Sequence, residues 1–210
     1  MTLVIIDILV AIAINNVKGP FSCSREGGVM RVSKEKAAEN RGRILSEAAR
    51  LFREHGLSGV GVDALTDAAG LTHGSLYSQF GSKERLAAEA LSHAVTTSSA
   101  RMSNAGTLDD YVIQYLSADH RERRGDGCVM AALASEIPRQ GVAIQHNFTG
   151  AIRAVTKQIT SLMSGRRKSE YEALAIVATM VGALTLARAV DDPKLSDRIL
   201  AAARARLASR

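Results

Sequence analysis

The sequence predicts an all-α protein with an N-terminal three-helix head containing a helix-turn-helix and a larger C-terminal helical domain. Three observations carry this expectation. Only three prolines interrupt 210 residues rich in Ala and Leu. Apolar residues recur at helical spacing in several long segments. The stretch from Gly61 to Leu86, GVDALTDAAGLTHGSLYSQFGSKERL, reads as two short helices joined by a tight turn and followed at once by a third helix start.

Residues 1–29 stand apart. Leu3 to Ile14 is nearly all apolar but about twelve residues long and broken by Asp7, and spanning a bilayer takes roughly 20. Met-Thr-Leu supplies no positive n-region for a secretory signal. The preferred reading is a translated leader, with Met30 as the natural start and residues 1–29 dispensable; Arg25-Glu26-Gly27-Gly28 is compatible with a purine-rich, ribosome-binding-like tract in the gene. A short apolar strand or interfacial segment is the alternative. Residues 30–90 are expected to form the head and 91–210 the second domain.

After Met30 comes a polar arm with Arg31, Lys34 and Lys36. A first helix comes next, with Ile44, Ala48, Leu51 and Phe52 as its apolar stripe and His55-Gly56 as its end. In the next segment Val62, Leu65 and Ala69 share one side, Gly70 stands where a helix exits through a left-handed residue, and Thr72 caps the following helix. There Leu76 and Phe80 lie four apart and point inward together, leaving Gly74, Ser75, Tyr77 and Ser78 outward. A short helix with a small, hydrogen-bonding outer face suits a major groove. No acidic residue occurs between Asp67 and Glu84. Ser82 caps a long connecting helix, whose Glu84 suits the dipole of its first turn.

Further on, Thr107-Leu-Asp-Asp opens a helix with Tyr111, Tyr115 and Leu116. Asp126-Gly127 makes a turn, and Cys128 to Ile137 is a short apolar helix ended near Pro138. Val142 to Met163 carries Phe148, Ile152, Val155 and Ile159 on one face. Ser169-Glu170-Tyr171-Glu172 is a capping box opening Leu174 to Val190, which is apolar almost all round and must be covered on more than one side. Asp192-Pro193 starts the last helix.

Charge alone does not locate a site. The net charge is +6, yet residues 30–95 hold nine Lys/Arg against eight Asp/Glu, and residues 96–210 hold sixteen against eleven. The C-terminal cations (Arg166, Arg167 and Lys168; Arg204, Arg206 and Arg210) read as solvated helix ends. Cys23 and Cys128 offer no disulfide framework, so a reducing cytoplasm is expected. There is no Walker loop, HExxH or Gly-x-Ser-x-Gly, and no spacing that would make Cys128 a nucleophile with His120 or His146. The expectation is therefore no enzyme, no metal and no cofactor.

From Arg41 to Leu91 the chain resembles the tetracycline-repressor (TetR) family of bacterial transcription regulators. RILSEAARLFREHG (Arg43 to Gly56) and VDALTDAAGLTHGSLYSQFGSKERL carry the resemblance, with GCVMAALASEIPR and LARAVDDPKLSDRIL as weaker echoes. It implies about nine helices, an N-terminal DNA module and a C-terminal ligand and dimer module. Carried over position by position, Thr72, His73, Ser75, Tyr77, Gln79 and Lys83 fall at the family's DNA-contacting sites, and Gly74 lets the helix backbone approach the groove. Gly61 departs from the family's usual Ser or Thr, so this chain has no hydroxyl to offer a phosphate there. Tyr77 as a core aromatic, His73 as an exposed bystander, and Arg41 and Arg43 as a solvated face are the bland alternatives.

Together these readings predict a homodimeric, cytoplasmic, ligand-responsive repressor. It would bind a palindromic double-stranded DNA operator and be released by an unknown small-molecule effector, with no membrane partner. Tyr111, Tyr115, Cys128, Met130, Phe148 and Met180 are the candidate effector-site residues, though each one singly is as well explained as core. Cys128 is either a small core residue or a redox sensor, and His146 and Arg153 either recognise an anion or are merely exposed. Rival readings are a same-fold activator, and a small-molecule-binding protein or enzyme with a vestigial DNA module.

Overall fold

The computed structural model describes residues 34–102, 105–163 and 169–208. The expected leader 1–29, Arg31, the 166–168 basic run and Arg210 lie outside the described residues. Among those described there are ten α-helices, one 3-10 turn and no strand. The head contains α1 (Lys34–His55), α2 (Val62–Ala69) and α3 (His73–Phe80), and α4 (Lys83–Met102) leads out of it. The rest is α5 (Leu108–Tyr115), α6 (Ala118–Glu122), α7 (Val129–Leu133), α8 (Val142–Leu162), α9 (Glu170–Ala189) and α10 (Pro193–Ala208).

Two sequence expectations are corrected. Lys34 and Lys36 belong to the first turn of α1 rather than to an arm, an exposed turn that lies ahead of the buried stripe beginning at Ile44. The segment Cys128 to Ile137 is not one helix: α7 ends at Leu133, and Ile137–Arg139 is a separate 3-10 turn containing Pro138. The five-residue α6 carries no apolar stripe that would have announced it; Ser117 caps it by accepting from the His120 N–H.

The caps read from the sequence do form. Thr72, Thr107 and Ser169 each accept a bond from the N–H three residues on, and Asp192 accepts from the N–H groups of Lys194 and Leu195 at 2.8 and 3.2 Å. These bonds use helix-end donors that have no partner inside the helix.

One apolar cluster runs through the described chain, from Ile44 in α1 to Leu207 in α10. The helix α4 crosses the boundary expected at residues 90/91 and packs on α1 along one side and α8 along another. Ala87, Ala90 and Ala94 are the small buried residues that permit this close approach. α9 is long and apolar enough to cross a membrane, but Ala173, Ile176, Val177, Met180, Leu184 and Ala187 are buried against its neighbours. Its opposite face, with Tyr171, Leu174 and Leu186, is exposed.

Two polar links tie the head to the helices beyond it. Arg53, buried near the end of α1, donates from Nε to the Gly125 carbonyl at 2.6 Å. Glu136, after α7, accepts from the N–H groups of Leu57 and Ser58 at 3.0 and 3.4 Å, just past the left-handed Gly56. A carboxylate that satisfies helix-exit donors contributes on the order of 1–3 kcal/mol. Glu136→Ala is therefore expected to lower the melting temperature by several degrees, read by circular dichroism, whereas substitution of exposed Glu122 should leave it nearly unchanged.

Candidate nucleic-acid interface and ligand cavity

The turn between α2 and α3 is built by Gly70, at φ 63 and ψ 41, whose N–H bonds to the Asp67 carbonyl at 3.0 Å. That left-handed residue reverses the chain at little cost only because it lacks a Cβ. Thr72 then opens α3, and Leu76 and Phe80 go fully into the core at 0% and 1% exposure. Thr72, His73, Gly74, Tyr77 and Ser78 are left on the solvent side. Tyr77 is 48% exposed, which rules out its being a core aromatic. The side chain of Ser82 accepts from the Arg85 N–H at 3.1 Å and puts Lys83 in the first turn of α4, where helix-end N–H groups also attract anions.

Three features of this face were not legible in the sequence. Asp63, from the first turn of α2, lies alongside the N-terminus of α3, and His73 Nε2 stands 2.6 Å from its carboxylate. The presenting surface therefore does have an acidic neighbour, brought in from outside the acid-free run by helix packing. Gln79 donates to Ser75 Oγ at 3.1 Å, so the two are coupled along one helix edge, with the Gln79 Oε1 atom buried without a partner. Arg41 and Arg43 remain partly solvated, but both are tied to partners within the protein. Arg43 donates to the Ala69 carbonyl at 2.5 Å, at the end of α2. Arg41 lies 4.5 Å over the Phe80 ring and pairs with Glu89 of α4 at 2.5 Å.

A cavity of about 120 Å³ opens between α4, α5, the α6–α7 loop and α8. Four of the six residues expected to face an effector share its wall: Tyr111, Tyr115, Cys128 and Met130. The other two do not line it. Met180 is packed in the core, and Phe148 is half-buried against the core elsewhere on α8. Sequence reasoning missed Val95, Met102 and Val155 on the apolar wall, and Gln114, Asp119, Arg123 and Asp126 among the polar lining residues. These come from five separate segments, so no local pattern joins them.

His120 organises the cavity floor. Its Nδ1 donates to the Tyr115 carbonyl at 2.7 Å, and its Nε2 accepts from the Cys128 N–H at 3.0 Å. That pairing requires the neutral ring, and burial pushes its pKa down. Its ring also meets Tyr115 edge-on at 4.7 Å. Arg188 of α9 clamps the same region, donating to the carbonyls of His120 and Arg121 at 2.6 and 3.1 Å. Gly127 is squeezed among these groups: a Cβ there would come within 2.8 Å of Arg188 Nη2 and 3.0 Å of His120 Nε2.

Residues 44–90 match the family model described as bacterial regulatory proteins, tetR family. No curated protein matches the chain. Among solved structures, the chain is similar to a TetR transcriptional regulator from Chloroflexus aurantiacus, at 24% identity and a TM-score of 0.69, covering 84% of this chain and 98% of that one. It is likewise similar to a TetR-family transcriptional regulator from Cytophaga hutchinsonii, at 23% identity and TM-score 0.67, covering 83% and 96%. The reduced form of E. coli NemR matches at 21% identity and TM-score 0.66, covering 80% and 94%.

Lys83→Ala is expected to weaken binding equally on operator and random DNA and to make the salt dependence shallower by about one unit for each phosphate no longer neutralised. His73→Ala and Ser75→Ala should instead reduce discrimination between bases. Fluorescence anisotropy across salt concentrations separates the two effects. Stability should also depend on pH through His120. Because the folded state depresses the His120 pKa, the unfolded chain binds more protons near and below about pH 6.5. The stability it contributes is present above that pH and is lost as the pH falls through the folded value. Melting curves from pH 8 to 5 should show this loss, and His120→Gln should remove that part of it.

Proposed function

We propose that the chain, whose residues 44–90 match the tetR family model, is a DNA-binding transcriptional regulator of that family: a cytoplasmic homodimeric repressor, released from a palindromic operator by a small-molecule effector. The observation that carries this reading is the conjunction of an intact recognition helix with a largely apolar cavity, both packed on α4. Thr72, His73, Gly74, Ser75, Tyr77 and Gln79 supply the surface for the major groove, and Lys83 supplies a phosphate clamp. Tyr111, Tyr115, Cys128 and Met130 supply part of the wall for an effector. The division of labour is then simple: residues 30–90 read DNA, and 91–210 bind effector and partner. Catalysis has no place in it.

The dimer rests on α9 and α10. Tyr171, Leu174, Ala178, Gly182 and Leu186 fall at helical spacing along the exposed side of α9, and Leu195 of α10 is also exposed. Nothing lies within 4 Å of the Cβ position at Gly182, leaving room for a partner helix at close range. Two copies of such a pair form a four-helix bundle, which covers the second apolar side of α9. A two-fold axis there would place two α3 helices for successive major grooves.

Leu174→Glu combined with Leu186→Glu is expected to give a folded monomer that no longer binds the operator. Sedimentation velocity, circular dichroism and anisotropy together report this. A wild-type chain that stays monomeric at micromolar concentration would overturn the proposal. Induction is tested by screening apolar and aromatic compounds for those that raise the melting temperature and also release operator DNA, because an effector acts only through its difference in affinity between the two states. Stabilisers that never change DNA affinity across a broad panel would overturn effector control.

A further inference from the structure

We propose that the cavity takes a neutral compound with a single aromatic ring and one hydrogen-bond acceptor, which the buried Tyr115 hydroxyl engages. The inference rests on reading this cavity as the effector site and specifies its chemistry. Size sets the first limit. An engineered apolar cavity of about 150 Å³ admits benzene, so a space of about 120 Å³ holds no more than one ring, and a short substituent must reach toward its open side. Shape sets the second. Val95, Met102, Met130 and Val155 make an apolar wall, while Tyr111 and Tyr115 stand nearly parallel, at 14° and 6.4 Å between centroids.

Tyr115 supplies the specificity. Its side chain lines the cavity, and its hydroxyl is buried with no hydrogen-bond partner. The Cys128 thiol lies beside the phenol as a weak sulfur partner, and no nitrogen or oxygen among the described residues pairs with the hydroxyl. Burial, with the thiol and Tyr111 nearby, drives the phenol well above the ordinary tyrosine range, so it is a protonated donor. Burial likewise raises Tyr111.

The neighbouring polar groups are already committed. Both ring nitrogens of His120 are used, and the Ser98 hydroxyl donates to the Gly127 carbonyl at 3.4 Å. A buried donor left without an acceptor costs free energy that a ligand carbonyl can recover.

Charge argues for a neutral ligand. Asp119 and Asp126 share the lining with Arg123, and Arg123 is paired with Asp119. The nearby Arg188 does not line the cavity and donates to backbone carbonyls. A carboxylate entering this space would lose its water and meet no uncommitted cation among the described residues.

The test uses the full-length protein, with acetophenone and ethylbenzene as probes of similar size that differ in one carbonyl. Calorimetric titration into wild type and Tyr115→Phe gives four affinities. The ratio of acetophenone to ethylbenzene affinity is expected to fall about tenfold in Tyr115→Phe; an unchanged ratio, or no binding of either ring by the wild type, overturns the proposal. Benzoate should bind at least tenfold more weakly than acetophenone, and equal or tighter binding overturns the neutral-ligand assignment. Without ligand, Tyr115→Phe should melt at or above the wild-type temperature, since it removes an unsatisfied hydroxyl; a drop of several degrees would show that the hydroxyl is satisfied and overturn the proposal. Operator affinity is measured separately. Rings that bind with the expected ratio but leave DNA affinity unchanged would uphold this chemistry and defeat effector control. Other compounds that release DNA while neither ring binds would do the reverse.

Discussion

Everything on the candidate DNA-facing side depends on the burial of Leu76 and Phe80. Helix α3 has eight residues, well below the roughly 12–15 that make an isolated helix even marginally stable. It exists because two large side chains leave water together, each contributing about 1.5–3 kcal/mol. The arginines of α1 then fix its surroundings: Arg41 covers the Phe80 ring and reaches Glu89, and Arg43 holds the last carbonyl of α2. The positions of His73, Ser75 and Tyr77 in space are therefore consequences of α1 and α4, not of α3 alone.

That dependence joins the head to the cavity. Helix α4 lies against α1 and also contributes Val95, Ser98 and Met102 to the cavity lining. The loop between α6 and α7 does the same from the other direction. Asp126, Gly127 and Cys128 line the cavity, and adjacent Gly125 is held by Arg53 of α1. A Cβ at Gly125 would come within 2.8 Å of Arg50 Cγ and would also clash with Glu54, so the loop lies directly on α1. Under the proposed function, a ligand acts by favouring one arrangement of these shared elements over another. Interiors packed this closely pass on a displacement rather than absorb it.

His120 shows why the cavity persists instead of collapsing. Its neutral ring bridges the end of α5 to the start of α7, and Arg188 caps the short α6 from α9. Those hydrogen bonds hold the backbone apart around a space that apolar packing alone would close. The cost is borne at Tyr115, whose hydroxyl stays unsatisfied in the same neighbourhood.

The sequence by itself determined what is local. Helical periodicity, the Thr72, Thr107 and Ser169 caps, the Gly70 turn and the inward pair Leu76 and Phe80 are all short-range physics, settled within about four residues of one another. The outward face of α3 comes from the same periodicity, and the family resemblance named the candidate DNA-contacting residues on and beside it before any packing was known. Tertiary structure decided whatever joins distant residues. It brought Asp63 beside His73, tied Arg41 to Glu89 and Arg43 to the Ala69 carbonyl, divided Cys128 to Ile137 into α7 and a 3-10 turn, and separated Met180 and Phe148 from the four cavity residues. A buried Met in a core and a Met on a cavity wall have the same helical spacing. The space between helices distinguishes them, and that space exists only once all the helices are in place.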